Sequence, residues 1–193
     1  MLDRVPDEWD TKRLTVRAVR EADIDTLLAL FNANAAVAAW DPTFAPIERD
    51  ELARLVHKSL TWADTEERPF QLQCFVERRT GALLGYYHCT YGAPHADTLW
   101  LSMFVMRPRA QRGGYGREVV EGLGSFWPML RDIRRAWAEV WLKNWPALRF
   151  WINADFNSIV EWRGDKQPAE GAFASLILEK RWRGSPDGPK RLL

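Results

Sequence analysis

The run Met106-Arg107-Pro108-Arg109-Ala110-Gln111-Arg112-Gly113-Gly114-Tyr115-Gly116-Arg117 joins two segments of different periodicity. Ahead of it, Leu99 to Val105 is apolar and rich in strand formers; behind it, Val119, Val120, Leu123, Phe126 and Leu130 recur at helical spacing. The run is therefore a strand-to-helix turn. Gly113, Gly114 and Gly116 allow backbone dihedrals that a Cβ would forbid, so several N–H groups can converge on one point at a helix N-terminus. Unpaired amides and the helix dipole both favour negative charge there, and Arg109, Arg112 and Arg117 add mobile positive charge. The combination predicts a cradle for a diphosphate; a glycine-rich turn without a ligand is the alternative.

Two familiar phosphate loops do not fit. No Gly-Lys-Ser/Thr follows the glycines, and the spacing is not Gly-x-Gly-x-x-Gly after an early strand. Upstream, Gln71 to Glu77, Ala82 to Tyr91 and Thr98 to Val105 read as three consecutive strands joined by short glycine-containing turns. Such an antiparallel meander argues against a doubly wound nucleotide fold, whose strands alternate with helices.

Further out, Leu14 to Val19 reads as a first strand. Ile24, Leu27, Leu28, Phe31 and Ala35 mark an amphipathic helix, and Leu52, Leu55, Val56, Leu60 and Ala63 mark a second, from about Glu48 to Asp64. Between them Trp40 and Phe44 lie on a proline-containing loop, where they either plug the core or wall an acceptor pocket. After the glycine loop, the helix from Tyr115 is expected to end near Pro128, whose ring nitrogen cannot donate. Ala136 to Leu142 alternates like a strand, Pro146 to Ala154 is a short helix, and Ser158 to Trp162 with Phe173 to Lys180 form a closing pair. Residues 1–12 read as a polar N-terminal arm, 13–182 as a single domain, and 183–193 as a disordered tail.

With 27 basic against 26 acidic side chains the net charge is +1, which disfavours nucleic acid as a partner. No stretch approaches the ~20 apolar residues of a membrane span, and the acidic N-terminus is unlike a signal peptide, so a cytoplasmic protein without a membrane partner is expected. Cys74 and Cys89 sit inside predicted strands, far from any metal-ligand spacing; both are read as reduced packing residues, and no metal is expected. Eleven tryptophans imply an aromatic core or a cleft that grips an apolar or cationic group.

Gln111, Gly114 and Gly116, with Pro108 three residues ahead of Gln111, match Gln/Arg-x-x-Gly-x-Gly/Ala, and the element order β-α-α-β-β-β-α-β-α-β-β runs nearly the whole domain. Together they resemble the Gcn5-related N-acetyltransferases (GNAT). The resemblance implies an α+β fold, an α/β/α sandwich whose mixed, mostly antiparallel sheet splays between its fourth and fifth strands. It also implies acetyl-CoA as co-substrate, with Phe104, Val105 and Met106 at the strand end holding the pantetheine arm. Gln111, Arg112, Gly113, Gly114, Tyr115, Gly116 and Arg117 would take the pyrophosphate. The acetyl group would pass directly, in a ternary complex, to a primary amine on a small molecule or a protein N-terminus. A homodimer is a family-level expectation.

A second motif begins at Asn144, with Ala147 and Phe156 also in place, and in the family this asparagine caps the helix or lies near the pantetheine. The tyrosine that usually protonates the departing thiolate is replaced by Trp151, and the usual glycine by Asp155. Indole N–H offers a hydrogen bond but is far too weak an acid to transfer a proton. A thiol with a pKa near 8.5 is nonetheless a tolerable leaving group. Glu139 lies five residues before Asn144, the spacing of the general-base glutamate in ribosomal-protein alanine N-acetyltransferases, and Arg13-Leu14-Thr15-Val16-Arg17 also resembles that subgroup. Between Trp137 and Trp141, Glu139 is expected to be partly desolvated as a base requires; a structural pair with an arginine is the competing reading. His88 is the second candidate base, while His57 and His95 read as surface residues. Trp151 leaves open a catalytically weak or inactive acyl-CoA binding or sensing module, and a purely structural or interaction protein is the third class.

Overall fold

The computed structural model describes residues 1–62, 69–167 and 169–182. Among the described residues eight strands form one sheet in the order β1-β2-β3-β4-β5-β6-β8-β7. They are β1 (Glu8–Asp10), β2 (Leu14–Ala18), β3 (Phe70–Glu77), β4 (Leu83–Tyr91), β5 (Thr98–Met106), β6 (Arg135–Trp141), β7 (Ser158–Gly164) and β8 (Ala174–Arg181). The α-helices α1 (Ile24–Asn32), α2 (Arg49–Thr61), α3 (Tyr115–Phe126) and α4 (Trp145–Asn153) flank the sheet. Neighbouring strands pair antiparallel except β5 with β6, whose parallel pairing requires the crossover that α3 provides. This is the mixed, mostly antiparallel α+β sandwich expected.

The strand alternation sorts side chains into two cores. Phe70, Leu72 and Cys74 of β3 face one side with Tyr86 and Val105, and Leu27, Leu30 and Phe31 of α1 and Leu52 and Val56 of α2 cover them. On the other side Val16, Phe75, Leu101, Ala138 and Leu176 meet Val119, Val120 and Leu123 of α3 and Leu148 and Trp151 of α4. Each fully buried leucine, such as Leu27 or Leu123, contributes on the order of 2 kcal/mol. The entry to α1 is fixed by Asp23, which accepts two hydrogen bonds from Arg17, both at 2.8 Å, and one from the Arg20 amide. Burial pushes that carboxyl's pKa up, but the bonds from Arg17 and Arg20 outweigh it and hold it below the usual value. At the other end α3 stops at Phe126, and a 3-10 turn, Trp127–Met129, accommodates Pro128.

The N-terminus corrects the reading of residues 1–12 as a polar arm. Residues 8–10 add a strand to the sheet, Val5 and Trp9 are buried, and Leu2 bridges to Leu130. The cause lies in β3, where Gln71 and Gln73 are buried and require partners. Gln73 Oε1 accepts from Trp9 Nε1 (3.0 Å) and from the Tyr87 hydroxyl (2.6 Å), while its Nε2 donates to Pro6 C=O (2.7 Å). Gln71 Nε2 donates to Val5 C=O, and the Tyr91 hydroxyl bridges Gln71 Oε1 to the Val5 amide. The arm thus supplies polar partners that the helices cannot. The expected tail, 183–193, lies outside the described residues. Cys74 and Cys89 are free and buried, and burial pushes each thiol pKa up to about 12. Among the described residues no helix is long and apolar enough to cross a membrane.

Candidate active site

β5 and β6 pair only from Thr98–Arg135 to Leu101–Ala138 and then part. With β1 added at the front, these are the fourth and fifth strands of the expected splay. The β4–β5 register slips between His88, opposite Met103, and Cys89, opposite Leu101, leaving Ser102 as an extra residue. Such a bulge bends its strand and increases its twist. β5 therefore follows β4 as far as the Gly85–Met106 pair, while β6 follows β8 to Trp141–Ser175. From α4, Phe150 and Trp151 pack against Phe104 with ring centroids 5.5 and 5.6 Å away, closing one side of the wedge with aromatic rings.

The Arg107 amide donates to Leu84 C=O at 2.7 Å, so β5 residues of that parity turn their peptide groups toward β4. Phe104 and Met106, of opposite parity, turn theirs into the wedge. Val105 does not share this placement: its backbone pairs with Tyr86 and its side chain lies in the α1–α2 core, so of the three strand-end residues it is the one the geometry turns away.

Pro108–Ala110 forms a 3-10 turn, and the chain then takes positive φ at Arg112 (62°) and Gly114 (81°). Alternating positive φ curls successive amides into a concave nest. Among the described residues, none accepts a hydrogen bond from the amides of residues 112–117, and the N-terminus of α3 has no side-chain cap. The loop is held from behind. Arg13 donates to Gly113 C=O (2.9 Å) and to Glu118 (2.7 Å), and its guanidinium stacks over the Tyr115 ring at 4.0 Å. Burial pushes the Glu118 carboxyl pKa up, but bonds from Arg13 and Thr11 outweigh it and hold it low, so that acid stays paired. The Tyr115 hydroxyl donates to Glu77 at 2.7 Å. A Cβ on Gly116 would lie 3.2 Å from the Phe150 ring and 3.4 Å from Phe104, so glycine lets the helix start close to the wedge. Of the expected cations, Arg109 and Arg112 are exposed and Arg117 pairs with Glu121 at 2.7 Å.

Gln111 points back rather than outward. Its Nε2 donates to Met106 C=O (3.1 Å) and to Asn34 Oδ1 (3.0 Å), tying the loop to the strand end and to the segment after α1. Asn144 takes the N-cap of α4, its Oδ1 accepting from the Ala147 amide at 3.2 Å. Trp151 is buried, its ring 4.7 Å from Phe156 and 5.0 Å from Phe150. Trp40 stays half-buried after a 3-10 turn, Ala35–Ala39, and Phe44 stacks on Phe31 at 5.1 Å, at the margin of the α1–α2 core.

Of the two candidate bases only Glu139 borders the wedge; His88 lies across β5 from it. Glu139 is the first β6 residue beyond the last β5–β6 pair, and His88 on β4 pairs with Met103. The arginine pair of the competing reading is present at Glu139. Glu139 is exposed as a residue, with 31% of its side-chain surface accessible, and its Oε1 accepts from the Ser175 hydroxyl while Oε2 accepts from Arg163 Nη1 at 3.2 Å. His88 is instead deeply buried against Phe70, its Nδ1 without a partner among the described residues, and burial lowers its pKa to about 4. That keeps it neutral and makes its conjugate acid too strong for an efficient base near neutral pH. Ser175, Arg163 and Asn34 escaped the sequence reading, and Arg13 enters it only through the resemblance, because each reaches the site from a remote strand or loop. Among the described residues no group of three or more His, Cys, Asp or Glu could hold a metal ion.

The acetyltransferase (GNAT) domain family matches residues 13–157. Among solved structures, an acetyl transferase from Salmonella typhimurium that modifies the N-terminal serine of a 50S ribosomal subunit protein superposes with TM-score 0.72 at 12% identity, covering 89% of this chain and 96% of its own. A ribosomal-protein alpha-N-acetyltransferase solved in complex with coenzyme A gives 0.70 at 12% identity, with 89% and 95% covered. An acetyltransferase from Thermus thermophilus gives 0.63 at 18% identity, with 90% and 100% covered. At these identities the likeness is one of fold. No curated protein matches the chain.

Proposed function

The chain belongs to the GNAT acetyltransferase family, and from that premise we propose that it moves an acetyl group from acetyl-CoA to a primary amine, on a small molecule or a protein N-terminus, by direct attack in a ternary complex. One observation carries this reading: six successive amides, 112–117, with no acceptor among the described residues, stand at the end of a strand whose open edge borders a wedge. The amides and the N-terminal dipole of α3 would hold the pyrophosphate, and the peptide groups of Phe104 and Met106 would pair with the pantetheine arm as an added strand does. For Met106 C=O this requires Gln111 to release or share its hydrogen bond. The co-substrate supplies an acyl group on a thiolate leaving group.

Glu139 is the residue we assign to take a proton from the incoming ammonium, directly or through water, so that the nitrogen lone pair can attack the thioester carbonyl. Its accessibility at the wedge suits contact with an acceptor arriving from solvent; Ser175 and Arg163 orient it. Trp151 cannot act as an acid, so the thiolate leaves without a side-chain proton and is protonated by solvent.

Calorimetric titration with acetyl-CoA, beside a thiol-release assay over amino acids, polyamines, aminoglycosides and N-terminal peptides, tests this. Binding with release on at least one amine class is the expected result. Binding with no release would establish the non-catalytic module that Trp151 leaves open, and absence of binding would overturn the site itself.

A further inference from the structure

Arg163, on β7, sends its guanidinium back across β8 toward the wedge. Its Nη1 donates to Glu139 Oε2 at 3.2 Å, its Nε and Nη2 donate to the two oxygens of Glu161 at 2.8 and 3.0 Å, and its Cζ lies 5.8 Å from the ring centre of Trp100 on β5. The strand register explains the meeting. Trp100 pairs with Trp137, and alternation along β6 puts Glu139 on the same face as Trp137. Glu139 stands opposite Ile177 of β8, and Ile177 opposite Glu161 of β7, so the two carboxylates share one cross-strand row. Two acids beside an indole make a place for a cation, and the chain fills it with a cation of its own. The bond to Glu161 holds the Arg163 pKa above its usual value, so the guanidinium stays charged.

Both oxygens of Glu139 are engaged, Oε1 by the Ser175 hydroxyl and Oε2 by Arg163. To take a proton, the carboxylate must exchange one of these partners for the incoming ammonium. Ser175 is buried, whereas the Arg163 side chain keeps 42% of its surface accessible and, on leaving Glu139, retains both bonds to Glu161. Arg163 is therefore the partner that yields, and it remains beside the acceptor when it does. We propose, resting on the assignment of Glu139 to the acceptor amine, that Arg163 determines which amines the site takes, favouring an acceptor with one positive charge over an acceptor with two. The charges set the preference. Glu139, Glu161 and Arg163 together carry one net negative charge, which a single ammonium neutralises. A second ammonium meets the guanidinium with no carboxylate of the cluster left to balance it. In a four-carbon diamine the two nitrogens are closer than the ~8 Å over which physiological salt screens charge, so the second one feels that excess. Glu179, on the same face, is already bound by Arg135, Arg181 and the Trp137 indole.

Steady-state thiol release with n-butylamine and with putrescine, the diamine of the same length, tests the proposal, read as the ratio of kcat/KM for the diamine to that for the monoamine. Arg163→Gln raises this ratio about fivefold and Glu161→Gln lowers it by a similar factor, the size of one exposed ion pair, while the double variant returns it to within about twofold of wild type. An Arg163 that did no more than orient Glu139 would change kcat for both amines alike and leave the ratio where it was. The same ratio is read without turnover as the Kd of each amine in the presence of coenzyme A, from the Trp100 indole signal in heteronuclear NMR spectra, assigned by its loss in Trp100→Phe. A chain that binds the two amines in this pattern and releases no thiol upholds the charge rule and refutes acetyl transfer. A ratio unmoved by either single substitution, a double variant that keeps the ratio of one of the singles, or amines that leave the Trp100 signal unchanged in every form overturns the proposal.

Discussion

Replacing Gly114 by valine separates the backbone of the proposed phosphate loop from its surroundings. Gly114 holds φ at +81°, a region where a residue with a Cβ loses roughly 1–2 kcal/mol and a β-branched one more. A Cβ there would also lie 3.2 Å from Arg13 Nη2, the guanidinium that holds the loop from behind. The valine therefore drives the loop toward negative φ and uncurls the nest formed with Arg112. If binding must restore the curled form, about 2 kcal/mol is taken from the affinity, which raises the acetyl-CoA Kd roughly 30-fold by calorimetry. Gly81 is the control: its φ is +71°, yet nothing lies within 4 Å of its Cβ position, and it sits in the β3–β4 turn. Gly81→Val loses stability of the same order, some 2–4 °C in Tm per kcal/mol for a chain of this size, while Kd stays at the wild-type value. A Gly114→Val protein that binds acetyl-CoA within about twofold of wild type would refute the assignment of these amides to the pyrophosphate.

Three further outcomes follow. Glu139→Gln lowers kcat by about 10²-fold or more with the acetyl-CoA Kd unchanged, as steady-state kinetics and titration of the same sample will report. His88, neutral in the fold with its pKa lowered to about 4, stabilises fully above its unfolded pKa near 6.5 and loses that contribution as pH falls toward 4. His88→Gln should accordingly reduce the stability lost between pH 7 and pH 4 by up to about 3 kcal/mol in urea titrations; an identical pH dependence would show the imidazole to be solvated. Asn144→Ala removes the cap of α4 and lowers stability by about 1 kcal/mol, read as a drop of a few degrees in Tm.

The chain's local chemistry determined its element types, the strand-to-helix turn and the position of the glycines, because hydrophobic period, Pro128 and the Gly113–Gly116 cluster act within one or two turns of themselves. Glu139 and His88 could be named from the sequence, but their surroundings could not. The carboxylate's partners, Arg163 and Ser175, lie 24 and 36 residues away on β7 and β8. The same holds for the N-terminal residues, polar when read alone and drawn into the sheet by two glutamines more than sixty residues distant. Sequence by itself thus determined the strands and helices other than β1, and the glycine loop to which we assign an anion. Tertiary structure alone decided that β5 and β6 part after Leu101 and Ala138, that Phe104 and Met106 rather than Val105 face the gap, and that Glu139 is left accessible. Propensity and periodicity are properties of neighbouring residues, whereas a splay, an open edge and a desolvated or solvated carboxylate depend on which distant strand occupies the adjoining place.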